Sequence, residues 1–447
     1  MTEASTRPLR HPDTSSRELM TRRAWWLVLL NVLIPGSAQI LAGRRGLGRF
    51  ALVATGVFWL LVIGLGVWFL LARDALLGFL LGSWALTAIQ IFAVAYAALW
   101  VVLALDTLRL ARLPRARAGA RPLVLLVSVA LMVTSSGVAV GASTLASSTR
   151  TALGKIFPDT AAEAPSEGRY NILLLGGDAG PDREGLRPDS LSVISIDALS
   201  GRATTIGLPR DMLNVPFVEG SPMRERYPDG YRRCDVSVCK LNSVYTEAEV
   251  WHADWFPEAE GRNSTPGIEA TRDAAEGILG MRIPYFALID MQGFADLIDA
   301  LGRVDITVTE RVPIGGDEQL NGVAEWIEPG EHHMSGYYAQ WYARARHGSS
   351  DFDRMARQRQ LQNAIIDQFD PITVLTRFQG IADAGAQIVR TDIPASMVGV
   401  FMGLAAQARA QGIESIELTP ANGVDQERPD FDAIRSLVAE RLATPAG

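Results

Sequence analysis

Three aspartates follow or precede short apolar runs in the acidic part of this chain, beyond residue 146. Asp178 comes after residues 170–175 and a Gly176-Gly177 pair, Asp189 lies in Arg187-Pro188-Asp189, and Asp211 in Pro209-Arg210-Asp211. A set of arginines accompanies them, Arg210, Arg344, Arg346, Arg354 and Arg357, in an otherwise acidic segment. Carboxylates with no imidazole or thiolate neighbours suit a hard cation such as Mg2+, which keeps several waters and shares its shell with phosphate oxygens. Guanidinium forks match phosphate at two points and stay charged. Together they suit a pyrophosphate-handling site, in which the protein positions groups and neutralises charge. The alternative is a set of surface salt bridges, each worth little. No G-x-S-x-G elbow, P-loop or H-E-x-x-H pattern offers a competing chemistry.

The elements around these residues say how they would meet. Residues 170–175 predict a buried strand that delivers Asp178 to a loop. Residues 191–197 alternate, Leu199-Ser200-Gly201 turns, and 203–208 return, which predicts a hairpin. Antiparallel pairing then brings its far ends together, so Asp189 and Arg210 meet at one sheet edge. Residues 284–291 read as a strand, 293–301 as a helix stopped by Gly302, and 304–308 as a second strand, a βαβ unit. Phe294, Leu297, Ile298 and Leu301 share one stripe of that helix, either as a core-facing surface or as the wall of a long apolar pocket. Residues 335–342 predict a helix leading to Arg344-Ala345-Arg346. Ser350 or Asp351 then caps a long helix running to about Phe369. Arg354, Arg357 and Gln358 share one face of it, and Leu361, Ala364, Ile365 and Phe369 its buried stripe. Residues 396–408 and 432–442 predict helices around a strand at 413–418.

The chain has 447 residues, 48% hydrophobic and 20% charged, which excludes disorder for most of it. Residues 1–146 carry 14 Arg and 5 Asp or Glu, while 147–447 carry 28 Lys or Arg and 44 Asp or Glu. A basic apolar front and an acidic back suit a membrane anchor with a soluble domain, and argue against a nucleic-acid binder. The expected organisation is a basic cytoplasmic tail at 1–24, a membrane region at 25–146, a linker at 147–168 and an extracytoplasmic domain at 169–447. Within the membrane region, 50–71, 75–105 and 123–146 are long enough to span. Arginines cluster in the tail, at 44–49 and at 109–121, which places those three segments inside. Segment 25–41, with Pro35-Gly36, then reads as a re-entrant or interfacial hairpin, with a fourth span as its rival. The location expected is a multi-pass protein of the cell membrane. Outside the cytoplasm, Cys234 and Cys239, the two cysteines present, predict a disulfide. The histidines show no metal-ligand spacing, which disfavours zinc.

Several blocks resemble the LytR–CpsA–Psr family. They are Tyr-Asn-Ile-Leu-Leu-Leu-Gly-Gly-Asp at 170–178, Arg-Pro-Asp-Ser at 187–190 and Leu-Pro-Arg-Asp-Met at 208–212. Lys240-Leu-Asn242-Ser-Val-Tyr245, Asp299-Ala-Leu-Gly-Arg303-Val, Tyr342-Ala-Arg344-Ala-Arg346, and Ser350-Asp351-Phe-Asp353-Arg354 with Arg357-Gln358 continue the match in order. Ala179-Gly180, Met212, Arg303 and Asp353 depart from the family pattern. The resemblance implies an αβα domain around a central mixed sheet, here preceded by an all-α membrane-spanning region. It implies a phosphotransferase that moves a glycopolymer, as sugar-phosphate, from a polyprenyl-pyrophosphate carrier to a peptidoglycan acceptor and releases polyprenyl phosphate. By the same resemblance Asp178 and Asp189 hold Mg2+ (or Mn2+), and Arg210, Arg344, Arg346 and Arg354 grip the phosphates. Arg187, Lys240, Asn242, Arg357 and Gln358 complete the pyrophosphate set, and Phe294, Leu297, Ile298 and Leu301 flank a lipid pocket. Asp211 or Asp351 orients the arginines or deprotonates the acceptor hydroxyl. A lipid-precursor-binding regulator or scaffold, or a pyrophosphatase of the same lipid-linked glycan, remains open at this point.

Overall fold

The computed structural model describes residues 9–10, 12–72, 76, 79–80, 82–178, 187–317, 319–346, 348, 350–368 and 389–443. It forms two compact units, Met1–Leu76 with Ser83–Arg150, and Leu77–Gly82 with Thr151–Gly447.

The first unit is helical: α1 (Arg17–Leu33), α2 (Ser37–Leu41), α3 (Arg45–Leu71), α4 (Ser83–Ala111) and α5 (Arg121–Ile156). Among the described residues three helices are long and apolar enough to cross a membrane, Arg45–Leu71, Trp84–Arg115 and Ala118–Ile156. The expected hairpin at 25–41 is α1 and α2, broken at Pro35 and Gly36. Gly36 has φ +97°, and a Cβ there would sit 2.7 Å from Ala51 Cβ and Gly48 O, so only glycine allows this close turn onto α3. The Gln39 amide fixes α2 by donating to Leu103 O at 3.1 Å and Thr107 Oγ1 at 3.0 Å. The expected span at 75–105 is instead described as a helix from Ser83 to Ala111. The expected linker at 147–168 is helical as far as Ile156. Its serines and threonines bond back to the preceding turn (Thr144 to Val140 O, Ser147 to Thr144 O, Ser148 to Leu145 O), and no proline intervenes before Pro158.

The second unit is built on β1 (Arg169–Asp178), β2 (Arg187–Asp197) and β3 (Ala203–Gly207), followed by α6 (Pro222–Arg226), α7 (Leu241–Thr246) and α8 (Pro266–Leu279). Then come β4 (Tyr285–Asp290), α9 (Met291–Leu301), β5 (Val304–Val308), β6 (Val312–Gly315), β7 (Val323–Ile327), β8 (Gly330–Met334), α10 (Gly336–Arg344) and α11 (Asp351–Asp367). The chain closes with β9 (Val389–Thr391), α12 (Val398–Gln411), β10 (Ile413–Glu417) and α13 (Phe431–Ala443).

Six strands form a mixed sheet in the order β10-β3-β2-β1-β4-β9, parallel at β1/β4 and β3/β10 and antiparallel elsewhere. The two-residue period of the strands sorts side chains into two layers. Leu173, Leu175, Leu191, Val193, Phe286 and Leu288 join the core with α7, α8 and α13. On the opposite face Ile172, Ile196 and Tyr285 meet Met397 and Leu404, while further along that face lie α9 and α11. This is the expected αβα sandwich around a mixed sheet.

The expected βαβ unit is not formed. β5 pairs antiparallel with β8 in a separate two-stranded sheet. Its pattern explains this: Val304, Ile306 and Val308 are buried while Asp305 and Thr307 are exposed, whereas a central parallel strand is apolar on both faces. Gly302 (φ +99°) and Arg303 (φ +76°) end α9 in left-handed conformations and redirect the chain.

Candidate active site

The register of β1 against β2 slips at one point. Gly176 faces Ser190 and Gly177 faces Pro188, so Asp189 is the extra residue of a β-bulge. A bulge bends its strand and re-aims a side chain. Here it lets one residue present both carboxylate and carbonyl to other elements. Oδ1 accepts from Arg210 Nη1 at 2.5 Å and Oδ2 from Arg346 Nη2 at 3.0 Å. The Asp189 carbonyl accepts from Arg354 Nη2 at 3.2 Å.

Each arginine is carried by a different element. Arg210 follows β3, the hairpin partner of β2, so the sequence-predicted meeting with Asp189 is observed. Its backbone is pinned to the start of α7, where Asn242 N donates to Arg210 O and Leu241 N to Met212 O, both at 3.0 Å. That pairing delivers Lys240, whose Nζ lies 3.0 Å from Asp211 Oδ1. Arg346 follows α10. Its turn is held from α11 by Arg357, which donates to Tyr342 O at 3.0 Å and to Ala345 O, and by Gln358, which donates to Ala343 O at 3.2 Å. Arg354 lies one turn into α11 and is 1% exposed. Ser350 is the N-cap of that helix, in a capping box with Asp353, which gives the unusual Asp353 a structural role. Asp351 bridges Arg354 Nη2 at 2.7 Å and Arg210 Nε at 3.4 Å.

The structure therefore brings together Asp189, Arg210, Asp211, Lys240, Arg346, Asp351 and Arg354. Asn242 contributes its main chain, and Arg357 and Gln358 hold the Arg346 turn by bonding carbonyls. Arg344 stands exposed at the end of α10, its guanidinium carbon 5.9 Å from the Trp341 ring centroid. Asp178 and Arg187 are backbone partners at the same sheet end, two residues from Asp189, and their side chains lie outside the described residues. Phe369, expected in the α11 stripe, also lies outside them.

Electrostatics favours a charged, anion-accepting cage. Burial raises the Asp189 carboxyl, but Arg210, Arg346 and Arg354 outweigh it and hold it below the usual carboxylate range. Burial lowers Arg210, and Asp189 and Asp351 more than restore it. Arg354 is brought down to about 10 by burial and by Arg210, so it remains cationic at neutral pH. Among the described side chains, four cations (Arg210, Arg346, Arg354 and Lys240) face three carboxylates (Asp189, Asp211 and Asp351). The buried Nε–H groups of Arg210 and Arg354 make no well-aligned hydrogen bond, although Asp351 Oδ1 lies 3.4 Å from the first. A buried donor in that state is satisfied by an added oxygen ligand.

Beside the cage a cavity of about 250 Å³ runs between the sheet and α9 and α11. Ser190 and Gln358 lie at the end next to Asp189 and Arg354 in sequence, and Ile194 and Ile366 lie further along their elements. The eight residue steps of α11 from Gln358 to Ile366 give it a length of roughly 12 Å. Its walls are Leu174, Ile194, Ala287, Ile289, Phe294, Leu297, Leu361 and Ile365, with Gly176 and Ala343. The expected helix stripe divides. Phe294 and Leu297 line the cavity, whereas Ile298 is buried in a core with Val304, Ile306, Met334 and Tyr342, and Leu301 is not among the lining residues. Ile298 lies about 100° round the helix from Leu297, toward α10, where Gly336 approaches so closely that a Cβ would lie 1.9 Å from Ala295 O. The strand residues of the wall were not anticipated. Their signal is the even-numbered face of β1, Leu174 and Gly176, which with Ala287 leaves room where larger residues would close the sheet onto α11.

Known proteins place this architecture. The model of the LytR_cpsA_psr family matches residues 136–439. The polyisoprenyl-teichoic acid–peptidoglycan teichoic acid transferase TagU of Halalkalibacterium halodurans is 26% identical over 264 residues, 58% of this chain and 73% of that protein. Biofilm regulatory protein A of Streptococcus mutans is 24% identical over 233 residues, 51% of this chain and half of that protein. The crystal structure of Bacillus subtilis TagV aligns over 62% of this chain and 98% of its own, at 23% identity and a TM-score of 0.43. With a family model covering two thirds of its length, including the whole cage and cavity, the chain belongs to the LytR_cpsA_psr family.

Proposed function

We propose that this protein is a membrane-anchored phosphotransferase that moves a glycopolymer, as its sugar-phosphate, from a polyprenyl-pyrophosphate carrier to a peptidoglycan hydroxyl. The observation that carries this reading is the adjacency of a surplus-cation cage, with buried guanidinium N–H groups that make no well-aligned hydrogen bond, to an apolar slot of about 250 Å³. A charged head and a greasy tail on one molecule require that combination. The names of curated relatives, teichoic acid transferases to peptidoglycan, support the same reaction class. The three long apolar helices support an anchor in the membrane where such a carrier resides.

In this reading Arg210, Arg346 and Arg354 receive the diphosphate oxygens as the acceptor oxygen bonds to the sugar-side phosphorus. The bond to the bridging oxygen breaks, the leaving polyprenyl phosphate takes the electron pair, and Asp211 or Asp351 takes the proton of the acceptor hydroxyl. Guanidiniums fixed by Asp189 and Asp351 need no reorientation as charge builds on those oxygens. Lys240 is held toward the same region by Asp211. Arg344, exposed beside Arg346, reaches the distal phosphate or the glycan. Arg357 and Gln358 act by positioning the Arg346 turn.

Asp178 and Asp189 are the residues proposed to hold Mg2+ (or Mn2+). The donor chemistry fits: two carboxylates at the ends of adjacent, paired strands are the oxygen donors that a hard cation takes. The ion would supply further neutralisation of the diphosphate. Transfer is tested with purified full-length protein, a labelled lipid-diphosphate glycan and peptidoglycan. Labelled peptidoglycan and polyprenyl monophosphate support it. Free glycan phosphate with or without the acceptor would indicate a pyrophosphatase, and binding without product a scaffold.

A further inference from the structure

We infer that Asp235, Glu247 and His252 form a second metal site, for a divalent ion of the zinc class. One ligand atom from each lies within 4.8 Å of the others. No residue is shared with the arginine cage. Histidine spacing alone disfavoured zinc, because the site uses a single imidazole and draws its acids from two places in the chain. Asp235 sits in the loop closed by the Cys234–Cys239 disulfide, Glu247 follows α7, and His252 ends the following turn at Glu247–Trp251.

Glu247 is the decisive residue. It is fully buried, and the Tyr227 and Tyr231 hydroxyls donate to it, one on each carboxylate oxygen. Among the described residues no lysine or arginine pairs with Glu247, and a buried carboxylate without a cation is costly. Each oxygen keeps a lone pair that a metal ion would take, with the tyrosines as the outer donors that orient a ligating carboxylate. Arg226 approaches Asp235 at Oδ1, 3.9 Å away, while Oδ2 faces His252 Nε2 at 2.8 Å. The His252 ring is fixed by stacking on Trp255, 3.9 Å between centroids at 8°. One imidazole nitrogen and two carboxylate oxygens are ordinary zinc donors, with a fourth position left for water. The imidazole disfavours Mg2+ and Ca2+. The ion would tie the disulfide loop to the far end of α7, whose near end carries Lys240 toward Asp211.

The test uses the full chain in detergent, stripped with a chelator and then titrated with Zn2+ by calorimetry and by thermal unfolding. One equivalent should bind and raise the unfolding temperature. His252→Ala and Asp235→Asn, both partly exposed positions, should each weaken binding at least tenfold, and Asp189→Asn should leave it intact. The site is overturned if Zn2+ neither binds nor stabilises, if either Asp235→Asn or His252→Ala binds as wild type does, or if Asp189→Asn abolishes binding. In those cases His252 and Asp235 form only an ion pair over a tyrosine-bound carboxylate.

Discussion

Arg354 donates to the main-chain carbonyl of Asp189 at 3.2 Å and, through the same nitrogen, reaches Asp351 at 2.7 Å. The first turn of α11 and the bulge of β2 therefore fix one another, and the remaining cage arginines assemble around that joint. Because Asp189 bonds outward to Arg210 and Arg346 as well, four separate stretches of chain converge on a single residue.

Removing that joint should be expensive. Arg354→Ala leaves a buried carbonyl and Asp351 without their guanidinium, and loss of one partner of a buried pair costs about 3–5 kcal/mol. Denaturant unfolding of the variant should show that loss, with Arg354→Lys intermediate because an ammonium lacks the planar fork. A variant as stable as wild type would show that the joint does not hold the two elements together.

The depressed Asp189 carboxyl has a consequence at low pH. Its folded value lies below that of the unfolded chain, near 3.9, so the unfolded state takes up the proton first as pH falls. The ion pairs therefore contribute fully above about pH 4 and are lost as pH falls through the folded value. Stability of the wild type should decline more steeply than that of Asp189→Asn between about pH 4 and pH 2. Parallel declines, measured by urea unfolding at each pH, would contradict the pairing.

Leu297 lies on the cavity wall and Ile298 does not, so substitutions at the two should differ in kind. Leu297→Trp fills the slot and should raise the KM for a long-chain lipid diphosphate tenfold or more, while a short-chain analogue is handled nearly as before. Ile298→Ala removes core contacts and should cost about 2–5 kcal/mol of stability instead. A chain-length-independent effect of Leu297→Trp would remove the slot from lipid binding.

Arg303 is exposed and adopts φ +76° where the family pattern has glycine. A left-handed conformation costs a side chain about 1–2 kcal/mol. Arg303→Gly should therefore raise stability by up to about 1 kcal/mol after the entropy of the more flexible unfolded chain is counted, read as a higher unfolding temperature. A lower temperature would mean that the arginine makes a compensating contact.

Much of this was legible in the sequence where one period sufficed. The hairpin that joins Asp189 to Arg210 follows from alternation and a turn, and the capped helix carrying Arg354 follows from Ser350 and a helical stripe. The disulfide followed from an even pair of cysteines in the segment expected outside the cytoplasm. What escaped was set by register and tertiary pairing. The bulge at Asp189 is a one-residue slip that no periodicity marks. The pairing of β5 with β8 depends on a strand well downstream, with Val308 opposite Gly330 and Val304 opposite Met334. The backbone-directed roles of Arg357 and Gln358 required knowing which carbonyls the end of α10 leaves unpaired.

The central claim, a diphosphate head in the arginine cage with its chain in the neighbouring slot, is tested most directly by mass spectrometry of lipid extracted from the purified full-length protein. Polyprenyl-diphosphate species should copurify with wild type near one per chain, and be depleted at least tenfold in both Arg210→Ala and Leu297→Trp. Equal recovery of such lipid from all three proteins, or none from the wild type after growth with the carrier present, would contradict it.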